Sequence, residues 1–324
     1  MVIDFNDIKN LAVEDFDRRC RMMYQQQLLA NPVYGRWCEQ LGMIKAVDIC
    51  EIPFLPISFF KTHEVACGLF EPEIIFTSSG TTGHVSSRHL VKDLSIYTQA
   101  FQEGFKLFYG DVREYCILAL LPSYLERKGS SLVYMAESLM QQSNHGESGF
   151  YLDNKDMLAR KLAELEAGGQ KTLLLGVTFA LLDFAEEHPM PLRHTVVMET
   201  GGMKGRKKEI TQPEVHSILK AAFQLPAVHA EYGMTELMSQ AYSKGDGVYR
   251  CPPWMKVVVR DEDDPLQVRT MGNGLLNIID LANVHSCCFI ATDDVGKVNA
   301  DGSFELAGRA DHSDMRGCSL LLNT

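Results

Sequence analysis

The sequence predicts an α/β fold with layered, largely parallel sheets and a small β-rich part after it. Short apolar runs alternate with stretches of helical periodicity, the signature of strands and helices taken in turn. Small or acidic polar clusters follow several of those runs. From about residue 251 the helical stretches give way to short runs joined by turns. The chain has 324 residues, 46% of them hydrophobic, which exceeds the size at which a single core keeps growing. We therefore expect two units, residues 1–250 and 251–324.

The elements follow in order. Residues 14–41 carry apolar side chains at mixed spacings of three and four, broken at Asn31-Pro32, which predicts two helices. "IPFLPISFF" (52–60) holds two prolines and reads as an extended connector. "EIIFTSS" is a strand entering a loop, and "HLVKDLSIYTQAFQEGFKLF" (89–108) an amphipathic helix. "YCILALLPS" is a buried strand. "KDMLARKLAELEAG" is a helix that Gly168-Gly169 stops. "KTLLLGVT" and "HTVVMETGG" are strands, "QPEVHSILKAAFQ" a helix, and "AVHAEYGMTE" a strand into a loop. "WMKVVVRDED", "GLLNIID" and "CCFIATDDVGKVNADGSFEL" are shorter strands, with a hairpin at "NADGSF".

Composition excludes several classes. A net charge of -11 argues against a nucleic-acid partner, whose phosphates call for a basic face; the dense basic stretch, Lys204 to Lys208, reads as a solvated turn. The nine cysteines are odd in number and form no CxxC pair, so neither a zinc site nor a disulfide framework is indicated. "HSCC" (285–288) has vicinal thiols that suit a tetrahedral metal poorly. The thiols are expected as buried fillers in a reducing compartment. The N-terminus "MVIDFNDIKN" lacks a basic segment followed by an apolar one, and the apolar stretch around Leu173–Leu182 is too short to span a bilayer. A cytoplasmic protein without a membrane span is expected.

Four clusters carry chemistry. In "FTSSGTTGHVSS" (76–87), Thr77, Ser78, Ser79, Gly80, Thr81, Thr82 and Gly83 present only hydroxyls or hydrogen atoms. Such a segment wraps a phosphate with backbone N–H groups and hydroxyls, although the P-loop spacing is absent and a plain surface loop has the same composition. In "ETGGMKG", Gly201 and Gly202 let a flat ring approach the backbone; a turn leading into a helix explains them equally. In "EYGMTE", Tyr232 can stack on a base, Thr235 can bond a phosphate and Glu236 can hold Mg²⁺. In "IATDDVG" and "AGRAD", Asp293 can accept from both ribose hydroxyls and Arg309 offers a planar fork to oxygens, while Asp pairs are also common in tight turns. Each cluster follows an apolar run, and ligands of α/β sheets bind at the carboxyl ends of strands.

In this order the four clusters resemble the adenylate-forming superfamily: a phosphate loop like TSSGTTG, an adenine and magnesium motif like YGMTE, a ribose motif like TGD and a hinge motif like GRxD. More closely the chain resembles the LuxE-type acyl-protein synthetases, in "NPVYGRWCEQLG", "IPFLPISFFK", "LPSYLERKGSSLVYM" and "GLLNIIDLANVHSCCFIATDD" as well. The resemblance implies the large domain of an adenylate-forming enzyme. It implies activation of a carboxylic acid, a fatty acid in that family, by ATP and Mg²⁺ to acyl-AMP, then transfer to a cysteine thiol. By the same resemblance residues 77–83 cradle the triphosphate, Gly201 and Gly202 flank adenine, and Tyr232 stacks on it. Thr235 touches the α-phosphate, Glu236 binds Mg²⁺, Asp293 holds ribose and Arg309 contacts ribose or phosphate. The family's acyl-accepting cysteine lies near the C-terminus, which points to Cys318. An acyl-transferase or reductase subunit, or another thiol acceptor, would be the partner.

Two departures stand out. Val85-Ser86 occupies the place of the usual Pro-Lys after the phosphate loop. After "GRADHSDMRG" we expect no mobile lid domain and no lid lysine, so charge at the α-phosphate would come from Arg309, Lys204, Mg²⁺ or a partner, with Arg88 and Lys128 as further local cations. Two other readings stay open: a ligase passing the acyl group to coenzyme A or a carrier, and a non-catalytic nucleotide- or acid-binding subunit.

Overall fold

The computed structural model describes residues 5–78, 85–121, 129–151, 154–201 and 210–310. Helices α1 (Val13–Ala30) and α2 (Pro32–Gln40) part at Asn31, as the Asn-Pro break predicts. The Asn31 N–H closes α1 on the Gln27 carbonyl, and its side-chain oxygen opens α2 by accepting from the N–H groups of Val33 and Tyr34, each at 3.0 Å. Pro32 sits at the first helical position, where a missing N–H costs nothing.

The connector after α2 is extended at β1 (Leu55–Pro56), but its last two residues already start a short helix, α3 (Phe59–Thr62). Strands β2 (Ile74–Thr77) and β3 (Arg88–Val91) form an antiparallel sheet of their own. Residues 89–91 were expected to begin a helix and are instead β3. They pair with β2 and are buried, and the helix α4 (Leu94–Tyr109) starts only where the Asp93 carboxylate accepts from the Ser95 N–H at 2.9 Å.

The next elements are β4 (Cys116–Leu120), α5 (Ser131–Ser143), β5 (Gly149–Phe150), α6 (Lys155–Ala167), β6 (Thr172–Val177), α7 (Thr178–Glu187), β7 (Thr195–Thr200), α8 (Gln212–Phe223) and β8 (His229–Tyr232). Strands β5, β4, β6, β7 and β8 lie side by side in that order and are parallel throughout. Every residue of β4 and β6 is buried, which is why both read as unbroken apolar runs rather than alternating ones. The apolar stretch 173–182 is β6 turning directly into α7. At Gly176 a Cβ would lie 2.7 Å from Leu181 Cγ, so only glycine lets the helix fold back this closely.

Beyond β8 the same 13-stranded sheet continues with antiparallel pairing. The added strands are β9 (Ala241–Ser243), β10 (Val248–Arg250), β11 (Met255–Arg260), β12 (Val268–Arg269), β13 (Gly272–Asp280), β14 (Phe289–Val298) and β15 (Phe304–Arg309). Their order is β8-β9-β10-β15-β14-β13-β11-β12, with β1 parallel to β14. The "NADGSF" hairpin forms as expected: the Asn299 N–H donates to the Ser303 carbonyl at 2.8 Å, and Gly302 takes φ 78°.

Helix α1 docks on the turn after β13. Gln27 Nε2 donates to the Asn283 carbonyl at 2.9 Å, Gln27 Oε1 accepts from the Cys288 N–H at 2.8 Å, and Asn31 Nδ2 donates to the Ser286 carbonyl at 3.0 Å. Cys287 and Cys288 are buried beneath this contact. Among the described residues no helix is long and apolar enough to cross a membrane.

Candidate active site

Two of the four clusters end neighbouring parallel strands. Thr200 ends β7, Tyr232 ends β8, and the register sets Thr200 opposite Glu231. The other two are placed differently from the expectation. Thr77 closes β2, which belongs to the separate hairpin. Thr292, Asp293 and Asp294 lie inside β14, so they form neither a loop after the strand nor a tight turn. The strand runs on to Val298 because β13 and β15 flank it on both sides. Ser79, Gly80, Thr81, Thr82, Gly83, Lys128, Gly202, Lys204 and Cys318 lie outside the described residues.

Hydrogen bonds join the clusters. His89, one residue into β3 and next to the rung Thr77–Arg88, sets its Nδ1 2.8 Å from the Thr235 carbonyl. Asn283 Nδ2 donates to the Glu236 carbonyl at 2.8 Å. Asp280 braces the residues that follow: it accepts from the Met238 N–H at 2.8 Å and the Ser239 hydroxyl at 2.6 Å. The Tyr232 hydroxyl donates to Asp294 Oδ2 at 2.7 Å. The Thr200 hydroxyl donates to Glu231 Oε2. The Thr178 hydroxyl donates to the carbonyl of Gly201 at 2.6 Å, and Gly201 has φ 70°, a conformation that favours glycine. Thr77 donates its N–H to the Gly129 carbonyl at 2.8 Å, and Ser78 Oγ accepts from the Ser87 N–H at 2.9 Å.

Charge at β14 is organised by two arginines. Arg309, more than half exposed, reaches Asp293 Oδ2 at 3.7 Å and Asp294 Oδ1 at 3.4 Å. Arg260, buried on β11, donates to Asn277 Oδ1 at 2.6 Å, to the Thr292 carbonyl at 2.6 Å and to the Leu276 carbonyl at 3.2 Å. Burial lowers the proton affinity of its guanidinium, and Asp293 and Asp294 raise it again. A buried guanidinium needs such a set of acceptors to repay its lost hydration. Arg88 makes an exposed contact of 3.6 Å to Glu64.

Tyr232 is only 7% exposed. Its ring meets Phe304 edge-on with centroids 5.4 Å apart, and burial, then Asp294, pushes its phenol well above the ordinary range. Its neighbour Glu231 is buried too, and burial pushes this carboxyl up to about 7. Glu199 is buried as well and is fully engaged: it accepts from Thr178 Oγ1 at 3.0 Å and Gln212 Nε2 at 2.7 Å, and His216 Nε2 lies 2.9 Å away. Glu236 is buried at the head of its loop. Among the described residues no three His, Cys, Asp or Glu side chains gather as a metal cluster. A single carboxylate still suits Mg²⁺, which takes one or two of them and completes its shell with water and substrate phosphate.

Sequence reasoning missed Arg260, Glu231, His89 and Asn283. A signal existed for two of them. Arg260 ends an apolar run, and Glu231 immediately follows one. His89 and Asn283 carry none, since their role depends on contacts across 146 and 47 residues.

The family described as acyl-protein synthetase, LuxE, matches residues 22–324. The chain belongs to the LuxE acyl-protein synthetase family. Its members are adenylate-forming acid–thiol ligases that depend on ATP, and this chain is one. A long-chain-fatty-acid–luciferin-component ligase of Vibrio harveyi is 24% identical over 323 residues, covering 93% of this chain and 85% of the relative. A 2-hydroxyisobutyryl-CoA ligase structure in complex with 2-HIB-AMP aligns with TM-score 0.65 and 15% identity, over 91% of this chain and 67% of the other. ATP-bound MatB from Rhodopseudomonas palustris aligns with TM-score 0.55 and 17% identity, over 74% of this chain. The chain spans about half the length of that protein, 49%. Both likenesses establish the adenylate-forming fold.

Proposed function

We propose that this LuxE-family chain activates a fatty acid with ATP and passes the acyl group to the thiol of Cys318. The observation that supports the reading is a set of contacts between the clusters: His89 of β3 with the Thr235 carbonyl, the Tyr232 hydroxyl with Asp294, and the Arg309–Asp294 ion pair.

In the first step a carboxylate oxygen attacks the α-phosphorus of ATP; the bond to the β-phosphate oxygen breaks and pyrophosphate leaves. In the second a thiolate attacks the acyl carbon and AMP leaves. The first step asks for alignment and charge neutralisation more than for covalent help. Residues 77–83 cradle the triphosphate. Gly201 and Gly202 flank adenine with Tyr232 against it. Thr235 contacts the α-phosphate, and Asp293 holds ribose. Arg309, more than half exposed, turns from its aspartates to a phosphate oxygen. Mg²⁺, when bound, would offset phosphate charge, with Glu236 as its carboxylate.

The cysteines support the acceptor. Eight of the nine are described: burial pushes the thiols of Cys20, Cys67 and Cys251 to about 12 and of Cys38, Cys50 and Cys116 to about 11. Cys287 and Cys288 are raised further, again by burial. A thiol held protonated is a poor nucleophile. Cys318 is the acceptor that the family resemblance points to, and it lies outside the described residues. The Vibrio harveyi relative, named for a long-chain fatty acid, supports the substrate class.

The test is pyrophosphate–ATP exchange against a panel of fatty and aryl acids, with Cys318→Ala beside the wild type. Exchange with a medium or long fatty acid in both, and hydroxylamine-labile acylation only in the wild type, is the expected result. Acylation persisting in Cys318→Ala removes the acceptor. Turnover that requires coenzyme A assigns a CoA ligase, and ATP binding without exchange assigns a binding subunit.

A further inference from the structure

The loop Thr235–Glu236 is held from behind by two side chains to which the reading above gives no part in the reaction. His89 is wholly buried, and its Nδ1 lies 2.8 Å from the Thr235 carbonyl, which can only accept. The ring proton therefore sits on Nδ1. Burial keeps the ring from taking a second proton, with a pKa lowered to about 4 against the pull of the Thr235 carbonyl and Asn283. Asn283, 1% exposed, donates from its amide to the Glu236 carbonyl, and among the described residues its Oδ1 has no partner in hydrogen-bond geometry. Both residues line one cavity of about 10 Å³, which is about the space of a single water site.

The two residues come from different parts of the chain. His89 stands on the strand that leaves the TSSGTTG segment, packed edge-on against Phe60 at 5.7 Å. Asn283 stands on the turn after β13, which α1 fixes through Gln27. Consecutive carbonyls of the YGMTE motif are thus tied to two separate supports. With the carbonyls of two consecutive peptide units tied, the backbone at Thr235–Glu236 is held against rotation, so the Thr235 hydroxyl and the Glu236 carboxylate start from a set direction.

We propose that His89 and Asn283 are positioning residues: they clamp the Thr235–Glu236 peptide and couple the phosphate-loop hairpin to the segment that meets the α-phosphate. This rests on the assignment of Thr235 and Glu236 to the nucleotide. Loss of either donor leaves a buried carbonyl unmatched and frees the peptide to turn. The consequence falls on the aligned state more than on ATP capture.

The test compares His89→Asn, whose amide N–H reproduces Nδ1, with His89→Gln, whose amide reaches the Nε2 position and leaves Nδ1 empty. Exchange kinetics, ATP affinity by calorimetry and melting temperature are measured on each, with Asn283→Ala and the double variant His89→Gln/Asn283→Ala alongside. We expect His89→Asn within about threefold of wild-type kcat and His89→Gln lower by about tenfold or more, with ATP affinity changed less than kcat. The double variant should lose no more kcat than the worse single one, as members of one unit do. Nitrogen chemical shifts of the wild-type ring should show a proton on Nδ1 alone. Equal kcat in His89→Asn, His89→Gln and the wild type overturns the clamp, as does a proton on Nε2. Should the wild type exchange no pyrophosphate with any acid, the assignment of the reaction fails by itself. The nitrogen chemical shifts then decide the clamp: a proton on Nε2 overturns it.

Discussion

Replacement of Glu231 by glutamine should change how the protein's stability responds to pH. The carboxyl is buried beside Thr200, and burial raises it from 4.5 to about 7. Between those values the folded chain holds a proton that the unfolded chain has released, so stability falls as pH rises, by ~1.4 kcal/mol per unit. The loss begins above pH 4.5, totals about 3 kcal/mol and is complete once pH passes about 7. Glutamine keeps the shape and an oxygen for the Thr200 hydroxyl but has no proton to lose. With an unfolding entropy of about 2 cal/mol/K per residue, this chain of 324 residues converts that difference to ~4 °C in melting temperature. Melting curves of both proteins at pH 5, 6, 7, 8 and 9 give the answer. The wild type should fall relative to Glu231→Gln by ~4 °C between pH 5 and 8 and then run parallel to it. Parallel curves across the whole range would show that the carboxyl titrates normally and that its burial is no source of the shift.

Three further outcomes follow from the site. Arg260→Met strips three buried acceptors of their donor and should cost about 3 kcal/mol, read as a lower urea midpoint with an unchanged slope. Arg309→Ala removes an exposed pair and should leave the melting temperature within ~1 °C, because such pairs contribute little to stability. In the exchange assay the same variant should raise KM for ATP or lower kcat by ~10-fold or more, the worth of one charge-assisted contact to phosphate. Gly233→Ala pushes a methyl group into Glu231 Oε1, and should break the bond to Thr200 and lower the melting temperature by ~1–3 °C.

Much of the fold was legible because its signals are local. The runs that became β4 and β6 are apolar at every position, and only a strand buried on both faces asks for that. Asn31-Pro32 announced its break because one asparagine can end one helix and cap the next. Residues 89–91 misled because "HLVKDL" has helical spacing; the strand wins through pairing with Ile74–Phe76, which lies outside any local window. Asp293 and Asp294 misled in the same way. An acidic pair favours a turn when taken alone, yet two flanking strands and a buried arginine hold it extended. The clusters proposed as the site stood out in the sequence by composition and by their resemblance to the adenylate-forming superfamily. The supports His89 and Asn283 could not stand out, since they answer only to neighbours distant in the chain.

The last described rung of the β14–β15 ladder is the bond from the Ala310 N–H to the Asp293 carbonyl, at 2.8 Å. It anchors the chain at the residue assigned to ribose. Eight residues separate that anchor from Cys318, a leash that covalent geometry limits to about 29 Å. The thiol proposed as acceptor belongs to the same chain as the proposed adenylate site, and an intramolecular acceptor of that kind has an effective concentration on the order of millimolar. Free thiols must compete against that figure, and dilution of the protein does not lower it. Self-acylation is therefore expected to be first order in enzyme and insensitive to its concentration, whereas transfer between two chains would slow as they are diluted.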